Sequence, residues 1–370
     1  MLGYLGKVGT PPNLIYLIYL TRLSTCSILL QTMKLLIITQ SVDRKSFVPL
    51  LFFVEWLREF GKQCERVTVI AQRVGEYDLP ENVHIKSLKK EEGLPVWRQI
   101  LRAWGFMCSE RKNYDAVLVH MTPIWVVLGA PVWLILGKRM YLWYEARGTK
   151  WHTHLAVLIV RKIFSASEGG LPIKTKKNVI TGHGIDVDFF SFGNGERDSH
   201  LLMTLGRHTK AKRLDHILHA FAKLPTEYRL LNIGAMITEK DTKTVEDLKK
   251  LAGELGVSDR VDFRTVSDEE LRDLLQRANV LLHASERTSL DKAVLQAMAC
   301  GCLVVTSSPV VKPCVPAICR ADSGTMQEVT EKLLAASSEE QGGMRSELRK
   351  NVVQNHSLPS LIERLVGEMS

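Results

Sequence analysis

The stretch from Val280 to Val305 limits the fold more than any other part of this 370-residue chain. An apolar run, Val280–His283, leads through a short polar loop into a helix-length segment that Gly301 ends, and a second apolar run starts at Leu303. A helix between two such strands gives a βαβ unit, with the helix N-terminus at the carboxyl end of the first strand. That terminus presents unpaired N–H groups and the positive end of the helix dipole, which suits a phosphate. Ser289, Leu290, Asp291 and Lys292 stand at or just before it. Their backbone N–H groups are candidates to hold a diphosphate, Asp291 is a candidate helix cap, and Lys292 adds a charge.

Strand-length and helix-length segments alternate along the rest of the chain. The first half has apolar runs at Leu35–Thr39, Val67–Ala71, Ala116–His120, Tyr141–Tyr144, Ile163–Ala166 and Val179–Thr181. The second has Leu201–Leu205, Tyr228–Ile233 and Val261–Phe263, then the two already named. Continuous β-branched runs flanked by helices read as parallel strands buried on both faces. A chain this long suits two cores better than one. The expected fold class is therefore α/β, with two doubly wound domains. The polar, Gly-containing stretch 190–200 marks the seam.

The net charge of +9 suits a nucleic acid, a membrane surface or an anionic small substrate. Nucleic acid fits least, because there is no zinc-finger spacing, aromatic RNA-binding signature or long Lys/Arg run. The seven cysteines are odd in number and form no pair of Cys-x-x-Cys motifs. They read as reduced thiols of a cytosolic protein, with no zinc site. Residues 1–32 fit poorly with the alternating strands and helices of the remaining chain. Asn13–Leu30 is apolar but too interrupted for a membrane span, and it lacks a signal-peptide layout. The first strand opens at Met33, so residues 1–32 are expected to be an extension outside the core, with an amphipathic anchor as the rival reading.

Thr288-Ser-Leu-Asp-Lys-Ala-Val-Leu-Gln-Ala-Met-Ala-Cys-Gly301 resembles the nucleotide-sugar loop of glycosyltransferase family 4. In that family a Glu, seven residues and a second Glu precede Ala-Met-Ala-Cys-Gly. Here Thr288 and Gln296 stand at the two Glu positions. Gly182-His-Gly-Ile-Asp-Val-Asp-Phe-Phe190 resembles the phrase that closes the family's first domain. The resemblance covers most of 33–370 and implies two Rossmann-like domains facing across a cleft, the GT-B arrangement. The implied division is an acceptor domain over 33–190 and a donor domain over 191–350. A helix over 351–370 would cross back to the first domain.

Leu205-Gly-Arg-His-Thr-Lys-Ala-Lys-Arg-Leu-Asp215 matches the family's Gly-Arg…Lys phrase, with Arg207 and Lys212 as its two cations. A leaving nucleoside diphosphate gains negative charge as the sugar departs, and fixed cations stabilise it. Lys210 and Arg213 are expected to face solvent. The resemblance puts Gln296 on the donor's ribose, Thr288 near the donor sugar as a candidate catalytic residue, Gly234 at a strand end facing the donor, and Val266 against the base. An amide can bond two hydroxyls, though without a carboxylate's charge. Ser267 followed by Glu270 reads as a capping box.

In the first domain, Asp43, Arg44 and Lys45 are candidates for acceptor contact. No His follows Tyr144 where the family often has one; Glu145-Ala146-Arg147 stands there. His120 is then the candidate catalytic His, with His183 a second. Two apolar segments have rival readings. Ile124–Gly137 reads as a buried helix. Val96–Lys112 carries Trp97, Trp104 and Phe106 among cations, and reads either as a core helix or as one lying on an anionic membrane.

The resemblance implies a retaining glycosyltransferase that moves a sugar from a nucleoside-diphosphate sugar to a glycan or lipid-linked acceptor. No metal and no cofactor are expected, since cations and amides hold the donor. The expected place is the cytoplasm, with peripheral contact at the inner face of the cytoplasmic membrane. The rival reading is a weak or inactive member that binds a nucleotide sugar or glycan without transfer. A hydrolysing epimerase of the same fold would need more acidic and His residues near the donor than the sequence places there.

Overall fold

The structure, a computed structural model, describes residues 33–44, 53–146, 148–193, 195–286, 288–322 and 324–370. The extension 1–32 and Lys45 lie outside the described residues. Elements run in the order β1 (Lys34–Val42), α1 (Phe53–Gln63), β2 (Arg66–Val74), β3 (Val83–Ser87), α2 (Val96–Ser109), β4 (Ala116–His120), α3 (Pro123–Ile135), β5 (Arg139–Trp143), α4 (Trp151–Ile159), β6 (Lys162–Ser165) and β7 (Asn178–Ile180). The second set is β8 (Asp198–Leu205), α5 (Leu214–Phe221), β9 (Arg229–Ile233), α6 (Glu239–Glu254), β10 (Val261–Arg264), α7 (Asp268–Arg277), β11 (Ala278–His283), α8 (Lys292–Ala299), β12 (Leu303–Thr306), α9 (Met326–Leu334), α10 (Ser338–His356) and α11 (Leu358–Met369).

The strands form a seven-stranded sheet, β3-β2-β1-β4-β5-β6-β7, and a five-stranded sheet, β10-β9-β8-β11-β12. β1 pairs in parallel with both β2 and β4, and β8 with both β9 and β11. In each sheet the chain winds outward one way, returns to the centre and winds the other way, as helical crossovers in Rossmann-like sheets require. All eleven expected strands are present, with ends shifted by a few residues. β3 is the addition. Val83-His-Ile-Lys-Ser87 alternates apolar and polar residues, and only Val83 is buried. It lies at a sheet edge, where one face meets solvent and no continuous apolar run is needed.

The described residues up to Tyr141 pack with Glu363–Ser370 as one compact unit, and Leu142–Ile362 pack as the other, with the boundary inside β5. In the second unit the core is lined by Leu202 and Met203 of β8, Leu281 and Leu282 of β11, Val304 and Val305 of β12, and the buried face of α8. The chain's end differs from the single helix expected over 351–370. Ser357 is extended, at φ −67° and ψ 149°, and separates α10 from α11. Pro359 has no N–H to donate to the Asn355 carbonyl and its ring crowds that oxygen, so one continuous helix cannot run through this point. Ile185 fills the break: its N–H donates to His356 O and its O accepts from Leu358 N, both at 2.8 Å.

The two ambiguous apolar segments resolve differently. α3 buries Trp125 and Trp133, as a core helix does, while Leu134 and Ile135 at its end are exposed. α2 buries only Gln99, Ala103 and Met107. Its Trp97, Leu101 and Trp104 form a stripe at helical spacing that is exposed, with Trp97 58% accessible. The Arg98 guanidinium lies 5.0 Å from the Trp97 ring centre. Among the described residues no helix is long and apolar enough to cross a membrane.

Candidate functional site

The parallel strands of the five-stranded sheet present their carboxyl ends along one side, where β8 and β9 each end at a glycine. A Cβ on Gly234 would lie 2.3 Å from the Gly206 carbonyl oxygen and 2.8 Å from His208 Cε1. A Cβ on Gly206 would lie 2.7 Å from Lys212 Nζ, and its φ of 130° disfavours any side chain. These glycines let two strand ends, an imidazole and an ammonium share one small space.

Both expected phosphate cations already have carboxylate partners. Arg207 Nε donates to Asp241 Oδ2 at 2.8 Å and Nη2 to Thr238 Oγ1 at 3.3 Å. Asp241 also accepts from the N–H groups of Ile237 and Thr238 at the start of α6. Burial works against the Asp241 charge, but the Arg207 guanidinium and the two N–H groups outweigh it and hold the carboxyl at about 2. Arg207 itself keeps 40% of its side chain accessible, so its outer guanidinium face can meet a ligand.

Lys212 is buried. Its ammonium donates to Asp291 Oδ2, and the same oxygen lies 3.3 Å from His283 Nε2. His283 Nδ1 lies 3.0 Å from Thr306 Oγ1, which accepts from Ser308 N at 3.1 Å. One donor order satisfies every pair: Ser308 N–H to Thr306, Thr306 O–H to His283 Nδ1, His283 Nε2–H to Asp291. Burial opposes charge on Asp291, yet His283 and Lys212 hold its carboxyl far below the usual range. Asp291 is the residue before α8, but its side chain makes no capping bond to that helix. Ser267 Oγ does accept from Glu270 N, the first half of the expected capping box.

The loop before α8 is docked at several points. Leu290 N donates to Ser167 Oγ at 3.2 Å, and Ser167 Oγ donates to Glu145 Oε1 at 2.8 Å. Glu145 Oε2 accepts from Ala166 N at 2.7 Å. His183 Nε2 lies 2.9 Å from the Leu290 carbonyl, so that nitrogen carries the proton. Burial pushes the His183 ring down to about 3 and the Glu145 carboxyl up. Thr288 Oγ1 donates to Gly169 O at 3.4 Å, and a Cβ on Gly169 would lie 2.0 Å from the Thr288 carbonyl oxygen.

The structure thus brings Arg207, Lys212, Gly234, Thr288, Ser289, Leu290, Asp291 and Lys292 to the strand-end loops of one sheet and the start of α8. Thr288 is exposed, Ser289 half-buried and Leu290 buried. The Leu290 N–H is already taken by Ser167 and is not open to a phosphate. Gln296 is half-buried in the second turn of α8, and Val266 packs on the core after β10. Burial pushes the Lys292 ammonium down to about 7. Arg213 is not simply solvated: it adopts φ 48° and pairs with Asp215 and Glu286.

His120 is fully buried at the end of β4 and stacks on Phe53 with ring centres 4.1 Å apart. Its Nδ1 lies 3.3 Å from Thr39 Oγ1. These contacts are those of a packed core group, and they give no support to the catalytic expectation. Asp43 accepts from Glu76 N, and Arg44 pairs with Glu55. A cavity of about 450 Å³ opens at the carboxyl ends of the same sheet, lined among others by Ser41, Gln72, Arg73, Gln99, Thr122 and Trp125. It borders β1 and β4, where the winding reverses and open α/β sheets usually bind ligands. Sequence reasoning missed the partners Asp241, His283, Thr306, Ser167 and Glu145. The available signal was a polar residue closing an apolar strand, as His283 and Thr306 do. Among the described residues no cluster of three or more His, Cys, Asp or Glu could hold a metal ion.

Residues 186–352 match the family model described as glycosyl transferases group 1. D-inositol 3-phosphate glycosyltransferase of Mycolicibacterium smegmatis is 31% identical over 138 residues, covering 34% of this chain and 31% of that protein. The human GDP-Man:Man(3)GlcNAc(2)-PP-Dol alpha-1,2-mannosyltransferase is 29% identical over 115 residues, 29% of this chain and 23% of that protein. The chain therefore aligns with less than a third of the length of either relative. Among solved structures, Anabaena Alr3699/HepE in complex with UDP and glucose superposes with a TM-score of 0.71 at 13% identity, covering 91% of this chain and 99% of that one. The lipopolysaccharide glycosyltransferase WaaG gives a TM-score of 0.60 at 15% identity, covering 91% and 99%. Residues 186–352 thus carry a group 1 glycosyltransferase domain, and the chain has the GT-B fold of two Rossmann-like sheets.

Proposed function

We propose that this protein is a retaining glycosyltransferase of family 4 that moves a sugar from a nucleoside-diphosphate sugar to a hydroxyl of a glycan or lipid-linked acceptor. The observation that carries the reading is the pair Arg207 and Lys212 beside Gly206 and Gly234 at adjacent strand ends of the matched domain. In this reading Arg207, Lys212, Lys292 and the amides of Ser289, Asp291 and Lys292 take the charge of the departing diphosphate without a metal ion. Gln296 holds the ribose, Val266 meets the base, and Thr288 orients the donor sugar. The cavity of the first unit receives the acceptor hydroxyl.

A thermal-shift screen with UDP, GDP and their sugars tests the reading, since a ligand of the native state raises its melting temperature. Arg207→Ala should weaken the best ligand by about 1.5–3 kcal/mol, as a lost charge-assisted bond does. Gln296→Leu should cost about 1–3 kcal/mol, and Gln296→Glu should keep binding. If no ligand of the panel binds, or all three variants match the parent, the donor-site assignment fails. One observation favours the rival reading of a binder without transfer: Thr288, which stands where the resembled family has a carboxylate, directs its hydroxyl at Gly169 O. Sugar release from the bound donor separates the two, because a pure binder releases none.

Lys292 gives the binding a pH signature. With its ammonium at about 7, it is mostly neutral at pH 8. A diphosphate beside it favours the charged form, so binding takes up a proton and affinity falls as pH rises from 7 to 9. His183, whose ring Lys292 helps to push down, stays neutral over this range. Calorimetry in buffers of different ionisation heat should show proton uptake at pH 8, and Lys292→Met should abolish it. No uptake in the parent protein would remove Lys292 from the phosphate site.

The exposed stripe of α2 supports peripheral contact with an anionic membrane, its apolar groups being flanked by Arg98, Arg102, Arg111 and Lys112. The full chain should sediment with vesicles containing phosphatidylglycerol and far less with phosphatidylcholine alone. The double variant Trp97→Ser with Leu101→Ser should bind about tenfold less, from lost apolar burial. Equal binding by the variant would place the contact elsewhere.

A further inference from the structure

Lys212 would be the most enclosed of the cations offered to the donor, and it is not offered bare. Its side chain is 7% accessible and its ammonium closes on Asp291, whose own side chain is 15% accessible. Asp291 is held in turn by His283, and His283 by Thr306, the two last residues of paired strands β11 and β12. The carboxylate therefore hangs from the sheet rather than from its own loop. It makes no capping bond to α8, although it stands in the capping position where an Asp usually does. Gly206 leaves the room into which the Lys212 ammonium folds, 2.7 Å from where a Cβ would be.

We propose that Asp291 is a fixed counter-charge to Lys212 that sets how tightly the site holds a diphosphate. It rests on the donor-site reading and adds a role that reading does not contain. Asp291 aims the Lys212 ammonium by pairing with it. In the occupied site the same carboxylate lies next to the phosphates and repels them, since like charges a few ångströms apart in a partly dry site interact strongly. The net result is weaker retention of the diphosphate product. His283 and Thr306 keep the carboxylate from swinging away to relieve the repulsion.

The test is calorimetric binding of inorganic pyrophosphate, UDP, UMP and uridine to the full chain and to Asp291→Asn. Loss of the counter-charge should tighten pyrophosphate and UDP by about tenfold, tighten UMP less, and leave uridine unchanged. A gain that grows with ligand charge is a result that loosened structure does not produce. Asp291→Ser, which removes the charge and supplies a good helix cap, gives the same comparison if the Asn variant folds poorly. Equal or weaker pyrophosphate and UDP binding by the variants, with the parent binding normally, overturns the proposal and leaves the donor site standing. No phosphate binding by parent or variants overturns both.

Discussion

Lys212→Ala is expected to cost the protein stability as well as diphosphate affinity. A surface lysine in a basic loop would cost little, and the run of Arg207, Lys210, Lys212 and Arg213 in the sequence suggests that. The structure reverses the expectation, because Lys212 is buried against Asp291. Removing one partner of a buried ion pair leaves the other charge uncompensated, which costs about 3–5 kcal/mol when burial is complete. Here Asp291 keeps its bond from His283 and some solvent contact, so a loss of about 2–4 kcal/mol is expected. Denaturant titration measures it. Lys210→Ala, at an exposed neighbour, is the control and should stay within about 0.5 kcal/mol of the parent. If Lys212→Ala is as stable as Lys210→Ala, the Lys212–Asp291 pair is absent in solution. In the double variant Lys212→Ala with Asp291→Asn most of the lost stability should return, since the orphaned charge is gone.

The same residue shows which parts of the molecule could be read from the sequence. Periodicity reports whether a segment faces a core, so the eleven apolar strands and the order of helices between them were legible. The loops that carry the site were legible in position, because glycines and cations at strand ends have few structural reasons to cluster there. The pairing of those cations was not. Asp241 is 34 residues beyond Arg207 and Asp291 is 79 beyond Lys212, and nothing local marks either carboxylate as a partner. Asp291 looked like a helix cap because it stands where caps stand, and tertiary contacts with His283 and Lys212 took its side chain instead.

His120 and α2 mark a related boundary. A His closing an apolar strand is as consistent with a ligand site as with a core, and in the structure His120 is buried and stacked on Phe53. His283 closes its strand in the same way and is also buried, yet it bonds the Asp291 carboxylate beside the cations. In α2 the aromatic stripe has ordinary helical spacing, and a sequence does not say whether another element covers it. The exposure of Trp97 and Leu101 is a property of the packing of α2 on its neighbours, where Gln99, Ala103 and Met107 face inward.

Gly169→Ala is expected to have the other large effect, and it tests whether the docked loop matters for the donor. The residue needs no special backbone angle, so the cost is purely steric. A methyl group there would stand 2.0 Å from the Thr288 carbonyl oxygen and 2.7 Å from its carbonyl carbon. These are backbone atoms, which cannot turn aside as a flexible side chain can. The loop must then move by more than an ångström. That strains the bond from Leu290 N to Ser167 and the bond from His183 to the Leu290 carbonyl. Losing two buried hydrogen bonds and forcing the overlap should cost about 2–4 kcal/mol of stability. Displacing Ser289–Lys292 from the start of α8 should also weaken UDP or GDP binding by tenfold or more. Gly105→Ala is the opposite control. It sits exposed inside α2 with nothing within 4 Å of an added Cβ, so it should stabilise the protein by about 0.5–1 kcal/mol through helix propensity. Thermal melting and calorimetry on both variants separate the cases. Unaltered stability in Gly169→Ala would mean that the loop is not docked on Gly169 in solution. Lost stability with intact donor binding would mean that the docked loop braces the fold, and that the donor is held by Arg207 and Lys212 alone.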